Sequence, residues 1–180
     1  MQVPDQIANH IEVPNFVNGG YFGLHPDGST YSSGLLMSEG KIISNVATHG
    51  QRVTTVCVFY DGVVQVKPIE DLTQELGLRF AISGAGIYPD NRLVQEGFTG
   101  VFSDIGRDTD RTIVGYRESD NKIVICVVKG ANISESQQIF KNLGVTAGIT
   151  LDGGGSTCCK VNGEYKIGTT RRINSIVTWN

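Results

Sequence analysis

One glycine-rich segment of the chain, Asp152-Gly153-Gly154-Gly155-Ser156, combines the residue types that could bind and transform a small anionic ligand. Glycines allow backbone N–H groups to approach a ligand closely, and a run of such amides can hold an anion. The carboxylate of Asp152 and the hydroxyl of Ser156 would then act on the same ligand. A plain glycine-rich turn fits the local pattern equally well. The segment matches neither a Walker loop nor a dinucleotide-binding fingerprint.

Two further segments could contribute to binding. In Asn18-Gly19-Gly20-Tyr21, the amide of Asn18 could hydrogen-bond a hydroxyl group while Tyr21 stacks on a sugar or a base. The same Asn-Gly pair also predicts a simple hairpin turn. Ser83-Gly84 follows a predicted strand and would allow another close approach of the backbone to a ligand.

An arginine, Arg111, stands at the start of a predicted strand over residues 112–117. There its forked donors could grip a phosphate. A surface ion pair with Asp108 or Asp110 is the alternative. The three histidines have no metal-ligand spacing, so neither a metal site nor a cofactor is predicted, although aspartate with loop oxygens would also suit a divalent cation near Asp152.

The elements that must position these residues are mostly short, β-branched segments bounded by Gly, Asn, Asp or Pro, which predict strands. Two segments predict helices: residues 134–143, where Ser134 and Gln137 form a capping-box pattern, and residues 68–77, which begin with proline and end with glycine. The first helix could cross over between strands 123–128 and 147–151 and bring some parallel pairing into the sheet. The prediction is an α+β fold in a single domain over 1–180, with a strand-rich mixed sheet, mainly antiparallel, and two packed helices.

Composition narrows the classes of function. A net charge of −3 and a pI near 5.6 argue against a nucleic-acid binder. The apolar runs are far shorter than the roughly 20 residues that span a bilayer, and the first residues lack the pattern of a secretory signal. We therefore expect a cytoplasmic protein without a membrane segment. The four cysteines show neither a disulfide framework nor C-x-x-C spacing, so they are predicted to be reduced thiols.

Taken together and in this order, the segments resemble the phosphodiester glycosidase family over nearly the whole chain. The order of the motifs is the strongest signal. They are Asn18-Gly19-Gly20-Tyr21-Phe22, Ser83-Gly84, Leu93-Val94-Gln95-Glu96-Gly97, Arg111-Thr112-Ile113-Val114-Gly115, Leu151-Asp152-Gly153-Gly154-Gly155-Ser156 and a closing Arg-x-Ile at Arg171 and Ile173.

The resemblance implies cleavage of a sugar from a sugar-phosphate diester by attack at the anomeric carbon, and it implies roles for residues. Asp152 would be the carboxylate that acts as acid or base or stabilises an oxocarbenium-like transition state. Arg111 would clamp the phosphate. The remaining residues would bind and orient the substrate: Asn18, Gly19, Gly20, Tyr21 as a stacking surface, Ser83, Gly84, the amides of Gly153 and Gly154, the hydroxyl of Ser156, and Arg171 as a second phosphate ligand.

The chain departs from the family pattern at one point. Thr109-Asp110 precedes Arg111 where relatives often carry a histidine and a proline. Any role of a histidine at this position is lost. A second carboxylate, if two acids share the work, stays open among Glu96, Asp104, Asp108 and Asp110.

Three hypotheses of function follow. The first is a hydrolase that releases a sugar or ribose from a phosphate conjugate, with a nucleotide-type molecule of the cytoplasm as the substrate. The second is a non-catalytic module that sequesters a phosphorylated sugar or nucleotide. The third is a phage structural protein with a vestigial pocket. The expected partner is a small sugar-phosphate or nucleotide-like ligand, and neither a nucleic acid nor a membrane is expected as a partner. The sequence leaves the oligomeric state open.

Overall fold

The protein, described by a computed structural model over residues 13–47, 52–102 and 105–179, is built mainly from antiparallel strands. Within those ranges the chain forms fifteen strands and one α-helix. In chain order these are β1 (Phe16–Asn18), β2 (Phe22–Leu24), β3 (Thr30–Ser32), β4 (Leu35–Ser38), β5 (Lys41–Asn45), β6 (Val53–Phe59), β7 (Val64–Ile69), β8 (Leu78–Ser83), β9 (Ala85–Tyr88), β10 (Thr109–Arg117), β11 (Lys122–Ala131), α1 (Ile133–Asn142), β12 (Ala147–Thr150), β13 (Cys159–Val161), β14 (Glu164–Ile167) and β15 (Ile176–Thr178).

The strands form three main sheets. One has five strands in the order β5-β4-β8-β6-β7, a second has the order β11-β10-β12-β9, and a third has the order β14-β13-β1-β15, while β2 and β3 form a separate hairpin. Strand β8 passes into β9 through Gly84, so the first two sheets share a continuous stretch of chain. A side chain at Gly84 would lie 2.4 Å from the carbonyl oxygen of Thr150, so glycine is required at this junction.

The largest apolar cluster lies where the first two sheets and the helix meet. It includes Leu35 and Cys57 from the five-stranded sheet, Ile113 from β10, and Phe140 from α1, all essentially inaccessible to solvent. The burial of such side chains is the main favourable contribution to folding. The core therefore fixes β10 and β12, the two strands that lead into the predicted site residues.

The prediction of a helix at residues 134–143 is confirmed, although its cap differs. The structure begins α1 one residue earlier, with Asn132 as the capping residue. The Asn132 side chain accepts a hydrogen bond from the Glu135 N–H at 3.0 Å, and Glu135 accepts one from the Asn132 N–H at 2.9 Å. This reciprocal pair takes the place of the predicted pair of Ser134 and Gln137.

The predicted helix over residues 68–77 is wrong, and with it the prediction of an α+β fold with two packed helices. Pro68 continues β7 and lies opposite Thr54 of β6. Because β7 is an edge strand, the missing N–H of a proline is tolerated there. Asp71 then caps only a single 3-10 turn, Leu72–Gln74. The fold is a mainly antiparallel β structure with one α-helix in the described residues.

The expected parallel pairing is also absent from the part of the chain that the structure describes. Strands β11 and β12 both pair with β10 in the antiparallel sense, and β10 lies between them. The helix therefore connects two strands that run in the same direction but are not neighbours. Every strand pair between described residues is antiparallel.

Candidate active site

The glycine-rich segment forms the connection between β12 and β13. A side chain at Gly153 would lie 2.8 Å from the carbonyl oxygen of Asp110, so the loop packs directly on the start of β10. Gly154 has a φ of +57°, in the left-handed region that favours glycine, and begins a 3-10 turn that ends at Ser156. The carboxylate of Asp152 accepts a hydrogen bond from the Gly153 N–H at 3.0 Å. The glycines are thus needed for the shape of this loop.

Asn18 lies beneath the loop and holds it in place. Its Nδ2 donates to the carbonyl oxygen of Asp152 at 2.6 Å, and its Oδ1 accepts from the Thr112 hydroxyl at 2.5 Å and from the Cys158 N–H at 3.2 Å. The side chain is only 1% exposed. Asn18 therefore joins β1, β10 and both ends of the loop, and it is a positioning residue in this structure.

Arg111, which was predicted to clamp a phosphate, is buried to 2% exposure among backbone carbonyl groups. Its Nε donates to Ala131 at 2.7 Å, and its Nη2 donates to Ile105 at 2.8 Å and to Arg107 at 2.6 Å. These bonds secure the turn at residues 105–107 against the end of β11. The guanidinium acts here on the protein's own backbone.

The other residues predicted from the first two motifs are also packed inside. Tyr21 is 5% exposed, and its ring lies 5.1 Å from that of Phe98 and 4.7 Å from that of Phe102. The hydroxyl of Ser83 accepts a hydrogen bond from the Leu35 N–H at 2.8 Å. The ring contacts of Tyr21 pack the segment after β1 on residues 98–102, and the Ser83 bond joins β8 to the start of β4.

The glycines that follow Asn18 make close backbone contacts of the same kind. The N–H of Gly19 donates to Ser175 at 2.8 Å, and a side chain at Gly19 would overlap the Ser175 hydroxyl. A side chain at Gly20 would lie 3.5 Å from the Ser83 carbonyl oxygen. Packing therefore requires glycine at position 19, whereas the distance at Gly20 is an ordinary van der Waals contact.

An open cleft lies on the other side of the glycine loop. It has a volume of about 710 Å³, and its walls are the loop itself, the start of β10 and the segment that follows β14. Polar side chains and glycines make up nearly all of the lining. The lining residues are Asp110, Gly154, Gly155, Thr157, Tyr165, Gly168, Thr169, Thr170 and Arg171.

Arg171 is the positively charged residue among those that line this cleft. Its aliphatic stem passes 3.5 Å from the position that a side chain on Gly155 would occupy, and its guanidinium lies 5.8 Å from the Phe22 ring. Among the described residues no carboxylate pairs with it. The Thr169 hydroxyl donates to the Gly155 carbonyl at 2.6 Å and accepts from the Arg171 N–H at 3.0 Å, which fixes the arginine against the loop.

Two hydroxyl groups next to the cleft have no hydrogen-bond partner within the described part of the chain. They belong to Ser156 and Thr157, which are both almost fully buried. An unsatisfied buried hydroxyl is costly to the fold, so each of these two groups calls for an explanation. Thr157 lines the cleft, although its hydroxyl oxygen is itself buried.

The structure separates the four candidates for a second carboxylate. Glu96 is fully buried, and it accepts hydrogen bonds from the Thr54 N–H and hydroxyl, the Gly86 N–H and the Arg92 side chain. It is thus a structural carboxylate.

Of the other three candidates, Asp108 is exposed and accepts a hydrogen bond from Asn132, whereas Asp110 lines the cleft. Asp104 lies outside the described residues. Asp110 is therefore the candidate that the fold places beside the glycine loop.

Other reactive groups do not form a second centre in the described ranges. No group of three or more His, Cys, Asp or Glu side chains there could hold a metal ion, and no helix there is long and apolar enough to cross a membrane. Of the histidines, only His25 is described, and it packs on Tyr31. All four cysteines lie among the described residues and form no disulfide, and burial raises the pKa of the Cys57 thiol to about 12.

Sequence reasoning missed Tyr165 and Thr169, and it left Asp110 as one option among four. Thr169 opens a polar run before Arg171, so adjacency to a motif was the available signal. Tyr165 had no such signal, because only the β13–β14 hairpin brings it to the cleft.

This antiparallel fold places a glycine loop and an arginine that has no carboxylate partner among the described residues at one cleft. The chain belongs to the phosphodiester glycosidase family, whose profile matches residues 14–178. The family resemblance predicted from the sequence is thereby confirmed. The extent of the domain, predicted as 1–180, stays a prediction.

Solved structures show the same fold. The chain is similar to the catalytic domain of zebrafish N-acetylglucosamine-1-phosphodiester alpha-N-acetylglucosaminidase, auto-inhibited by its pro-peptide, with a TM-score of 0.79, 20% identity, and coverage of 98% of this chain and 66% of that one. A hypothetical protein from Synechocystis matches with a TM-score of 0.65 and 13% identity, over 97% of this chain and 53% of that one. A protein from Burkholderia pseudomallei K96243, described as exported, matches with a TM-score of 0.62 and 13% identity, over 92% of this chain and 64% of that one.

The chain therefore spans between 53% and 66% of the length of these similar structures. No curated protein sequence matches it.

Proposed function

We propose that the chain is a hydrolase that cleaves the bond between a sugar and a phosphate in a sugar-phosphate diester. Its membership of the phosphodiester glycosidase family supports this reaction type. The observation that carries the proposal is the guanidinium of Arg171, which lies against the glycine loop without a carboxylate partner among the described residues. A cation that the protein does not neutralise is a ready binding site for a phosphate.

In this proposal the phosphate binds between Arg171 and the backbone amides at Gly154 and Gly155, which line the same cleft. The bond between the anomeric carbon and the bridging phosphate oxygen breaks, water supplies a hydroxyl to the carbon, and the phosphate leaves as a monoester. The second pKa of a phosphate monoester is about 6, so this group can leave as a dianion without a proton from the protein. Arg171 stabilises the charge that develops on it.

A leaving group of this kind reduces the need for a general acid, so one carboxylate suffices for the central step. Asp152 has this role in the proposal, either by stabilising positive charge on the sugar ring or by accepting a proton from the attacking water. The hydrogen bonds from Gly153 to its side chain and from Asn18 to its carbonyl group fix the residue at the start of the glycine loop, whose later residues Gly154 and Gly155 line the cleft.

We further propose a nucleotide-type substrate and a cytoplasmic location. The cleft volume of about 710 Å³ falls within the range of small-molecule sites, which is about 300 to 1,000 Å³. The ring of Tyr165 is 38% exposed at the cleft and offers a stacking surface for a base or a sugar. Fractionation of cells that express the chain would test the location.

The direct test is incubation of the protein with sugar-phosphate diesters, nucleotide sugars and cyclic ADP-ribose-type nucleotides, followed by product analysis. We expect release of a free sugar and a phosphate monoester from at least one compound, and loss of that activity in Asp152→Asn. Equal turnover by Asp152→Asn would remove Asp152 from the mechanism. If no compound is cleaved but one returns intact after the protein is denatured, the chain sequesters its ligand and the hydrolase proposal is overturned.

A further inference from the structure

We propose that Asp110 is a specificity-determining residue that accepts a hydrogen bond from a hydroxyl group of the bound sugar. This inference rests on the proposed assignment of the cleft as a sugar-phosphate site, and it adds the direction in which the substrate lies there.

The position of the Asp110 carboxylate is set by a β-bulge. Thr109 pairs with Ala131, whereas Arg111 pairs with Val128, so Asp110 faces two residues of β11 instead of one. One of them, Gly130, has a φ of +59°, and its N–H donates to Oδ1 of Asp110 at 2.9 Å. Bulges of this kind commonly redirect a side chain next to an active site.

The second carboxylate oxygen of Asp110 has no hydrogen bond and no ion pair with any described residue. Asp110 is half-buried and lines the cleft. The backbone carbonyl oxygen of Asp110 packs directly against Gly153, 2.8 Å from the position that a side chain there would occupy. This contact places Asp110 next to the glycine loop. An ionised carboxylate can only accept hydrogen bonds, and the hydroxyl groups of a sugar are suitable donors.

The charges of the cleft favour one direction of binding. Arg171 and Asp110 both line it, and no ion pair joins them. A phosphate is attracted to Arg171 and repelled by Asp110, whereas a hydroxyl donor gains a charge-assisted bond at Asp110. The phosphate of the substrate therefore lies at the Arg171 wall and its sugar at the Asp110 wall.

The competing explanation is that Asp110 serves only to satisfy the Gly130 N–H of the bulge. Asp110→Asn separates the two roles, because the asparagine Oδ1 can still accept from Gly130 while the second carboxylate oxygen is replaced by an amide group that can only donate. The matched control is Asp108→Asn, which removes the same charge two residues away, at an exposed side chain outside the cleft lining.

The test compares the dissociation constants of inorganic phosphate with those of glucose 1-phosphate, N-acetylglucosamine 1-phosphate and ribose 1-phosphate. In the wild-type protein we expect at least one sugar phosphate to bind more tightly than inorganic phosphate. Asp110→Asn should reduce this preference by about tenfold or more, which is the effect of losing one hydrogen bond to a charged group. It should leave phosphate affinity equal or higher, and Asp108→Asn should leave the preference unchanged.

Monodeoxy forms of the preferred sugar phosphate supply a second measurement that needs no variant. Removal of one particular hydroxyl should weaken binding to the wild-type protein, and that penalty should disappear in Asp110→Asn. The inference is overturned if the sugar preference is the same in Asp110→Asn and wild type, if no monodeoxy form binds more weakly, or if no sugar phosphate binds better than phosphate. A normal sugar preference without hydrolysis of any diester would overturn the proposed hydrolase activity and leave the assignment of Asp110 standing.

Discussion

The two sides of the glycine loop differ in how their polar groups are used. On the inner side, Asn18 and Arg111 are buried, and their hydrogen bonds go to backbone carbonyl groups and neighbouring side chains of the protein. On the outer side, Arg171 and Asp110 line an open cleft, and the buried hydroxyl of Thr157 beside it has no partner among the described residues. The inner side is a framework, and the outer side has unused binding capacity.

This difference shows that a strong motif need not be a contact with substrate. A buried asparagine that satisfies several polar groups at once is as restricted in sequence as a catalytic group, because few side chains have both a donor and an acceptor in that geometry. We therefore expect the inner residues to give the loop its shape, and we propose that the outer residues bind the substrate. The predictions below test this division of roles.

Substitution of Arg111 by alanine should have the largest effect and should act on stability. Loss of the buried guanidinium leaves the carbonyl groups of Ile105, Arg107 and Ala131 without these donors. We expect the free energy of unfolding in urea to fall by about 3 to 5 kcal/mol. Arg107→Ala is the control, because that residue is exposed and contributes its carbonyl group. Unchanged stability together with lost phosphate binding would return Arg111 to the role of phosphate clamp.

Replacement of Asn18 by aspartate should affect both stability and activity. The shape is retained, but the donor to the Asp152 carbonyl is lost and a carboxylate is buried in its place. We expect the free energy of unfolding to fall by about 2 to 4 kcal/mol, with a parallel loss of kcat/KM as the loop shifts. Thr112→Val, which removes only one of the bonds to Asn18, should cost about 1 kcal/mol. Lost activity at unchanged stability would place Asn18 in direct contact with substrate.

Arg171→Gln should show the opposite behaviour. Arg171 is exposed and has no carboxylate partner among the described residues, so its removal should leave the urea midpoint unchanged. We expect kcat/KM to fall by about 100-fold, as is typical when one preorganised charge or donor at a transition state is lost. The neighbouring Arg172 is exposed and lies outside the cleft lining, so Arg172→Gln is a matched control for charge. Equal losses in both variants would mean that only overall charge matters.

Much of this arrangement was predictable from the sequence because it depends on local signals. The strand-rich pattern, the capped helix and the shape-determining glycines after Asp152 all follow from residue types at short spacing. The helix over residues 68–77 shows the limit of such signals. Its start and stop residues were suitable, but pairing of Pro68 with Thr54 across β6 and β7 prevailed over local preference.

The surroundings of a side chain were not predictable in the same way. Nothing near Arg111 in the sequence indicates that carbonyl groups from residues 105, 107 and 131 converge on its guanidinium. Likewise, Tyr165 reaches the cleft only because β13 and β14 form a hairpin beside the loop. Whether a polar residue serves the fold or the ligand depends on contacts between distant segments, which periodicity and spacing do not contain.

The smallest effect is expected for Thr157→Val, and it is the most selective test of the division between framework and cleft. The Thr157 hydroxyl is buried and has no hydrogen-bond partner among the described residues, so its replacement by a methyl group of similar size should raise the free energy of unfolding by about 1 kcal/mol. If the hydroxyl binds substrate, kcat/KM should fall by about tenfold in the same variant. Thr157→Ser, which keeps the hydroxyl, should retain most of the activity. A gain in stability without a loss in activity would show that the cleft does not use this group, whereas opposite changes would mark a hydroxyl retained for binding at a cost to the fold.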